Sequence, residues 1–194
     1  MALDLNTYIE HEISSHKKTL AALCEIISYP LGDLVRASKK VIINNGKIVF
    51  FGNGGSAADA QHLATELAVR YIKNRPPIAS VALSTDTSSL TAIGNDFGFD
   101  DIFARQVDAL VTDKDIVIGI STSGNSENII RGLKKSKEKG AITAGFSGQN
   151  GGLMLGLADP LLNVPSQNTA RIQEMHILIG HLFCGALEQE LELI

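Results

Sequence analysis

Short apolar runs that alternate with helical stretches constrain this chain more than any other feature. The runs are Lys47–Phe51, Ile78–Leu83, Asp115–Ile120 and Ala141–Phe146, with a weaker fifth at Leu161–Val164. Between and after them lie helical segments at Ser56–Arg70, near 87–94 and 100–111, at Glu127–Lys139 and at Ala170–Glu192. Gly140 closes the helix that ends at Lys139, as a C-terminal glycine does. Strands that are apolar on both faces and separated by helices specify a parallel sheet covered on both sides. The expected fold is therefore α/β: a three-layer α/β/α sandwich around a five-stranded parallel, flavodoxin-like sheet of order 2-1-3-4-5.

Two helices precede the first strand. One runs over 6–28, with Ile9, Ile13, Leu20, Leu23 and Ile27 along one face, and Tyr29-Pro30 closes it. The second runs from an N-cap at Asp33 to Asn45-Gly46. Neither is needed to complete the sheet, so both are expected to serve oligomerisation. The 194 residues then form a single domain, 1–194, with a helical part at 1–45 and an α/β core at 46–194.

Charge and composition narrow the partners. A formal net charge of −4 argues against nucleic acid and anionic membranes as targets. A phosphorylated ligand must then be held by local donors. No apolar run is long enough to span a bilayer. The segment Met1–Glu12 carries acids and lacks the order of a signal peptide. Cys24 and Cys184 sit in apolar helical surroundings and are expected to be buried, reduced thiols. These features together predict a cytoplasmic protein.

Two loops have the chemistry to hold an anion. Gly52-Asn53-Gly54-Gly55-Ser56 follows the first strand, and Ser121-Thr122-Ser123-Gly124-Asn125-Ser126 follows the third. Each leads directly into a helix N-terminus, where free N–H groups and the helix dipole favour negative charge. In the expected strand order these two loops flank the switch point of the sheet and face one crevice. Gly52–Ala57 also satisfies a relaxed dinucleotide fingerprint, but Asp86 is poorly placed to hold a ribose.

Polar residues on two helices add reactive groups. His62 and Glu66, spaced i, i+4, share one face of the helix after the first loop. They could hold a metal or act as acid and base. The last helix carries Arg171, Gln173, Glu174, His176 and His181 within an apolar stretch. His11 and His16 lie among surface-type neighbours. Asn95 and Asp96, in the run Gly94–Phe99, could reach sugar hydroxyls or simply form a turn.

Taken together, the segments FGNGGSAADAQHLATEL, TAIGNDFGFDDIFARQV, GISTSGNSENI and ARIQEMHILIGH resemble the sugar isomerase (SIS) domain family, and within it the phosphoheptose isomerases. The resemblance covers nearly the whole chain. It implies a homotetramer that interconverts sedoheptulose 7-phosphate and D-glycero-D-manno-heptose 7-phosphate for bacterial surface polysaccharide, with Zn2+ as the usual metal. It implies metal ligands at His62, Glu66, Gln173 and His181. It implies substrate contacts at Asn53, Gly54, Gly55, Glu66, Asn95, Asp96, Ser121, Thr122, Ser123, Ser126 and Gln173, to which the loop chemistry adds Ser56. Ala170 departs from relatives that carry a polar or acidic residue before the arginine, so any assistance from that position is absent.

Aldose–ketose isomerisation moves a proton between adjacent carbons through an enediol-type intermediate. It needs a base and a polarising acid or metal. Glu66 is the expected base and His181 the partner acid. Helix geometry then raises a difficulty. Gln173 and His181 are eight residues apart, roughly 12 Å of rise on a regular helix. Either that helix is broken near its start or one ligand comes from a neighbouring chain, and the shared site is the favoured expectation. Two non-enzymatic readings compete. One is an SIS adaptor that binds the replication initiator, but adaptors lack the glutamate and late histidine present here. The other is a sensing module, which would normally be fused to a DNA-binding domain.

Overall fold

The computed structural model describes residues 3–194, so Met1 and Ala2, the start of the segment read as leaderless, lie outside the described residues. Strands β1 (Ile48–Gly52), β2 (Ser80–Ala82), β3 (Ile116–Ser121), β4 (Ile142–Gly148) and β5 (Leu161–Val164) form one sheet. All its pairings are parallel, in the order β2-β1-β3-β4-β5 expected from the sequence. The helices are α1 (Leu5–Cys24), α2 (Ser28–Ile43), α3 (Gly55–Ala68), α4 (Thr87–Asp96), α5 (Ile102–Leu110), α6 (Glu127–Glu138) and α7 (Thr169–Glu190).

Strand alternation divides the core in two. Ile48, Phe50, Ile116, Ile118, Ile120 and Phe146 point to the side packed by α2, α3 and α7. Val49, Phe51 and Val117 point to the side packed by α5 and α6. Every residue of β1 and β3 is buried, which is why these runs read as continuously apolar. Asp115 ties the amino ends of these central strands together. Its carboxylate accepts from the Lys47 backbone (2.9 Å), Lys47 Nζ (2.7 Å) and the Thr112 backbone (2.7 Å). Burial pushes this carboxyl up, but those hydrogen bonds outweigh burial and hold it below the ordinary value. The carboxyl ends of the strands are left to the functional loops.

The N-terminal helices depart from the sequence reading. α2 begins at Ser28, so Tyr29-Pro30 lies in its first turn instead of ending α1. A proline is tolerated there because the N–H it lacks would have no helical partner. Asp33 is not an N-cap; it pairs with Arg36 at 2.6 Å inside α2. Only the end of α1 reaches the core: Leu23 is buried, whereas Leu5, Tyr8, Ile9 and Ile13 are exposed. Cys24 is exposed too, contrary to expectation, because it lies about 100° around α1 from the buried Leu23. Cys184 is buried as expected, and burial pushes its thiol up to about 12.

A buried arginine clamps α1 to α7. Arg171 donates to the Glu12 carbonyl (2.6 Å) and to Glu174 (2.6 Å), whose other oxygen accepts from His16 at 2.7 Å. No helix among the described residues is long and apolar enough to cross a membrane.

Candidate active site

Both expected anion loops are built by backbone conformations that need glycine. After β1, the chain passes through Gly54 at φ 54 and enters α3 with no side-chain cap. After β3, it passes through Gly124 at φ 67, where a Cβ would run into the Gly151 carbonyl. It enters α6 through Ser126, again with no side-chain cap. The Ser56 N–H is taken by the Asn53 carbonyl and the Ile129 N–H by Asn128 Oδ1, which leaves the N–H groups of Gly55, Glu127 and Asn128 for a ligand or water.

The two loops are joined side chain to side chain. Asn53 Nδ2 donates to Asn128 Oδ1 (2.8 Å) and Asn128 Nδ2 donates back to Asn53 Oδ1 (2.9 Å). Asn128 is 1 % exposed, so this pair is a strut between the loops. Asn53, expected to touch substrate, thus has its amide oxygen and one N–H committed to the strut. Ser121 and Ser126 hydroxyls lie 3.2 Å apart, and Ser123 Oγ accepts from the Asn125 backbone at 3.2 Å. Thr122 is half-buried beside them, and Ser56 is buried at the start of α3. Arg131, one turn into α6, is taken up by Glu127 and Asp101. The loop donors are therefore uncharged.

A crevice of about 380 Å³ opens beside the first loop, lined by Gly52, Asn53 and Gly54 on one side and by Leu90, Thr91 and Phe103 on the other. Asn95 and Asp96 do not line it. They close α4, exposed, with the Asn95 amide donating to Asp96 at 2.7 Å. Asp86 caps α4 through Ser89, which accounts for it without a nucleotide.

The reactive groups gather farther along α3. His62 Nε2 and His181 Nε2 are 3.0 Å apart, and Glu66 Oε1 is 3.4 Å from His62 Nε2. The Tyr71 ring stacks on His181, with centroids 5.5 Å apart and an interplanar angle of 22°. Asp59, one turn before His62, has one buried oxygen without a partner, and burial raises its carboxyl to about 6 despite the pull of His62.

Gln173 does not join this group within one chain. It lies over the start of α3, where a Cβ on Gly55 would sit 2.5 Å from Gln173 Nε2. α7 is unbroken from Thr169 to Glu190, which removes the broken-helix alternative. Gln173 and His181 therefore remain roughly 12 Å of rise apart. Among the described residues no group of three or more histidine, cysteine, aspartate or glutamate side chains stands ready-made around a metal position. The donor types nevertheless suit zinc: two imidazole nitrogens lie 3.0 Å apart, and a carboxylate oxygen lies 3.4 Å from one of them.

Asp59, Tyr71 and Asn128 escaped the sequence reading. Asp59 had a usable signal, since i, i+3 spacing puts it on the His62 face. Tyr71 and Asn128 carried none, because their partners are distant in sequence. The buried His176 is a core residue: its ring bonds the Ser147 carbonyl at 3.0 Å, and burial lowers it to about 4.

Residues 13–148 match the SIS domain family. The chain is 53% identical over 182 residues to a phosphoheptose isomerase of Paramagnetospirillum magneticum, covering 94% of this chain and 95% of that one. It is 50% identical to phosphoheptose isomerase 1 of Campylobacter jejuni, covering 93% and 97%. Among solved structures, a phosphoheptose isomerase of Neisseria gonorrhoeae superposes with a TM-score of 0.89 at 40% identity, covering 94% of this chain and 99% of that one. One from Francisella tularensis superposes at 0.92 with 32% identity, covering 96% and 100%. The adaptor reading finds no support in these relatives. The chain belongs to the SIS domain family, on its phosphoheptose isomerase branch.

Proposed function

We propose that this protein converts sedoheptulose 7-phosphate to D-glycero-D-manno-heptose 7-phosphate in the cytoplasm, supplying heptose for bacterial surface polysaccharide. One observation carries the reading. A single helix, α3, opens at its N-terminus on the anion loops and carries, further along, Glu66 beside His62, which in turn lies 3.0 Å from His181. The phosphate would be held by Ser121, Thr122, Ser123, Ser126 and the N–H groups of Gly55, Glu127 and Asn128. The carbon chain then extends from the loops toward Glu66.

Glu66 takes the proton from the carbon next to the carbonyl, and returns it to the neighbouring carbon. His181 donates a proton to the oxygen that gains charge and takes one back from the neighbouring hydroxyl as the new carbonyl forms; His62 lies 3.0 Å from it. Holding the phosphate at the far end converts binding energy into orientation of the reacting carbons. His62, Glu66 and His181 would hold zinc, which supplies a Lewis acid for the sugar carbonyl. A carboxylate has two oxygens, so one can face the ion while the other accepts the proton.

The fourth ligand, Gln173, is proposed to come from a neighbouring subunit of a homotetramer. The unbroken α7 and the apolar residues exposed on α1 support this.

The decisive experiment is incubation with sedoheptulose 7-phosphate in deuterated water, followed by NMR. The expected result is the aldose product with deuterium at the exchanged carbon; no conversion by metal-loaded protein would overturn the proposal. Sharing is tested by mixing inactive Glu66→Gln and Gln173→Ala subunits. Activity should return in reassembled oligomers, while mixtures of Glu66→Gln and His181→Gln should stay inactive because both residues lie against His62 of the same chain.

A further inference from the structure

Beneath the reactive cluster lies an ion pair that the isomerase reading does not use. Arg75 and Glu188 have side chains 1% and 0% exposed, and Arg75 Nε donates to Glu188 Oε1 at 2.7 Å. Arg75 comes from the irregular segment between α3 and β2, and Glu188 from the end of α7. A buried ion pair is a poor source of net stability, because desolvation offsets the attraction. Its hydrogen bonds show a different use.

Arg75 reaches back to the end of α3. Nη2 donates to the carbonyl of Glu66 at 2.9 Å, and Nη1 donates to the carbonyl of Leu67 at 2.7 Å. These are carbonyls of the last helical turn, which have no partner further along the helix. The guanidinium fork thus caps the very turn that projects Glu66. Glu188 Oε1, in turn, accepts from the backbone N–H of Tyr71 at 3.0 Å. The Tyr71 ring is the one stacked on His181, and it also packs over Gly185, where a Cβ would lie 3.1 Å from the ring. One buried pair is therefore bonded to the backbone of Glu66 and, through Tyr71, backs the ring of His181.

We propose that Arg75 and Glu188 are positioning residues for the isomerase centre, and that Tyr71 relays the pair's placement to His181. The proposal rests on the assignment of Glu66 and His181 as the reacting groups. Lysine cannot replace Arg75, because a point charge on a flexible stem cannot reach two carbonyls and a carboxylate together. The Tyr71 hydroxyl takes no part, so phenylalanine should serve at that position.

The test uses Arg75→Lys, Tyr71→Ala and Tyr71→Phe in the assembled, metal-loaded enzyme, with Glu66→Gln alongside. Arg75→Lys and Tyr71→Ala should lower kcat by about a hundredfold, the cost of displacing a reacting group by about 1 Å. KM for the phosphorylated sugar should stay near the wild-type value, since the anion loops are untouched. Tyr71→Phe should retain kcat.

Ring resonances of isotopically labelled histidines give a readout independent of turnover. His62 and His181 should shift in Arg75→Lys and Tyr71→Ala, while His176, buried on the same helix, should not. If Arg75→Lys does not fold, the two Tyr71 variants decide the matter. Full kcat in Tyr71→Ala, or equal shifts at all three histidines, would overturn the proposal. Full activity in Glu66→Gln would instead overturn the assignment of the base and leave the histidine shifts as a separate result.

Discussion

The two ends of α3 are built on opposite principles. At its N-terminus, the proposed ligand-binding groups are backbone N–H groups and hydroxyls supplied by two contiguous loops, each shaped by its own glycine. Toward its C-terminus, reactive groups come from α3 and α7, residues 119 apart in sequence for His62 and His181, and are held by a buried charge pair. On the proposed function, the first end grips a constant group and can be made from local turn chemistry. The second must place proton-transferring atoms closely, and only packing between distant elements can do that. A contiguous motif suffices for binding an anion, whereas catalysis here depends on the tertiary fold.

This division of labour can be broken most sharply at Glu66. Glu66→Gln keeps size and helix propensity but removes the proposed base, and should lower kcat by roughly 10²–10⁴-fold. KM and the thermal midpoint should barely move. A rise in KM with kcat preserved would show that the two ends do not work separately.

Next in size are the loop hydroxyls. Each hydrogen bond lost to a charged phosphate should cost about 1.5–3 kcal/mol. Ser123→Ala and Ser126→Ala should therefore weaken binding of the phosphorylated sugar while leaving that of the unphosphorylated sugar nearly unchanged, as calorimetric titration would show. Equal losses for both ligands would place the hydroxyls away from the phosphate.

The strut between the loops should give a mixed effect. Asn128→Ala leaves the Asn53 amide without its partner in a buried setting, at a cost of about 1–3 kcal/mol. Denaturant unfolding should show that loss, accompanied by a raised KM. Unchanged KM would mean that the loops keep their spacing without the strut.

The smallest effect concerns Asp59. Its folded carboxyl titrates near 6, above the ordinary 3.8, so the folded state binds the proton more tightly than the unfolded state does. Stability should then fall as pH rises from about 4 to about 6. The contribution at neutral pH is about 1–2 kcal/mol once the water around this half-exposed group is allowed for. Asp59→Asn should remove the pH dependence in that window and make the metal-free protein more stable at pH 7. An unaltered profile, measured by thermal unfolding across the window, would assign the destabilisation elsewhere.

The sequence by itself determined the layers, the strand order and both anion loops. Apolar runs, helix periodicity and glycine-bearing turns are local signals, and the βα alternation leaves few ways to arrange them. It also brought out His62 with Glu66, because one helical turn joins them. It misjudged the start of α2, since a proline that ends one helix and a proline in the first turn of the next look alike in one dimension. Only the tertiary structure decided that His181 meets His62 within one chain, that Gln173 stays behind at Gly55, and that Asn53 is braced by Asn128. It alone showed that an arginine in an irregular segment caps the turn bearing Glu66. Such contacts join residues far apart in the chain, and they follow from how the helices pack on the sheet, which no local pattern encodes.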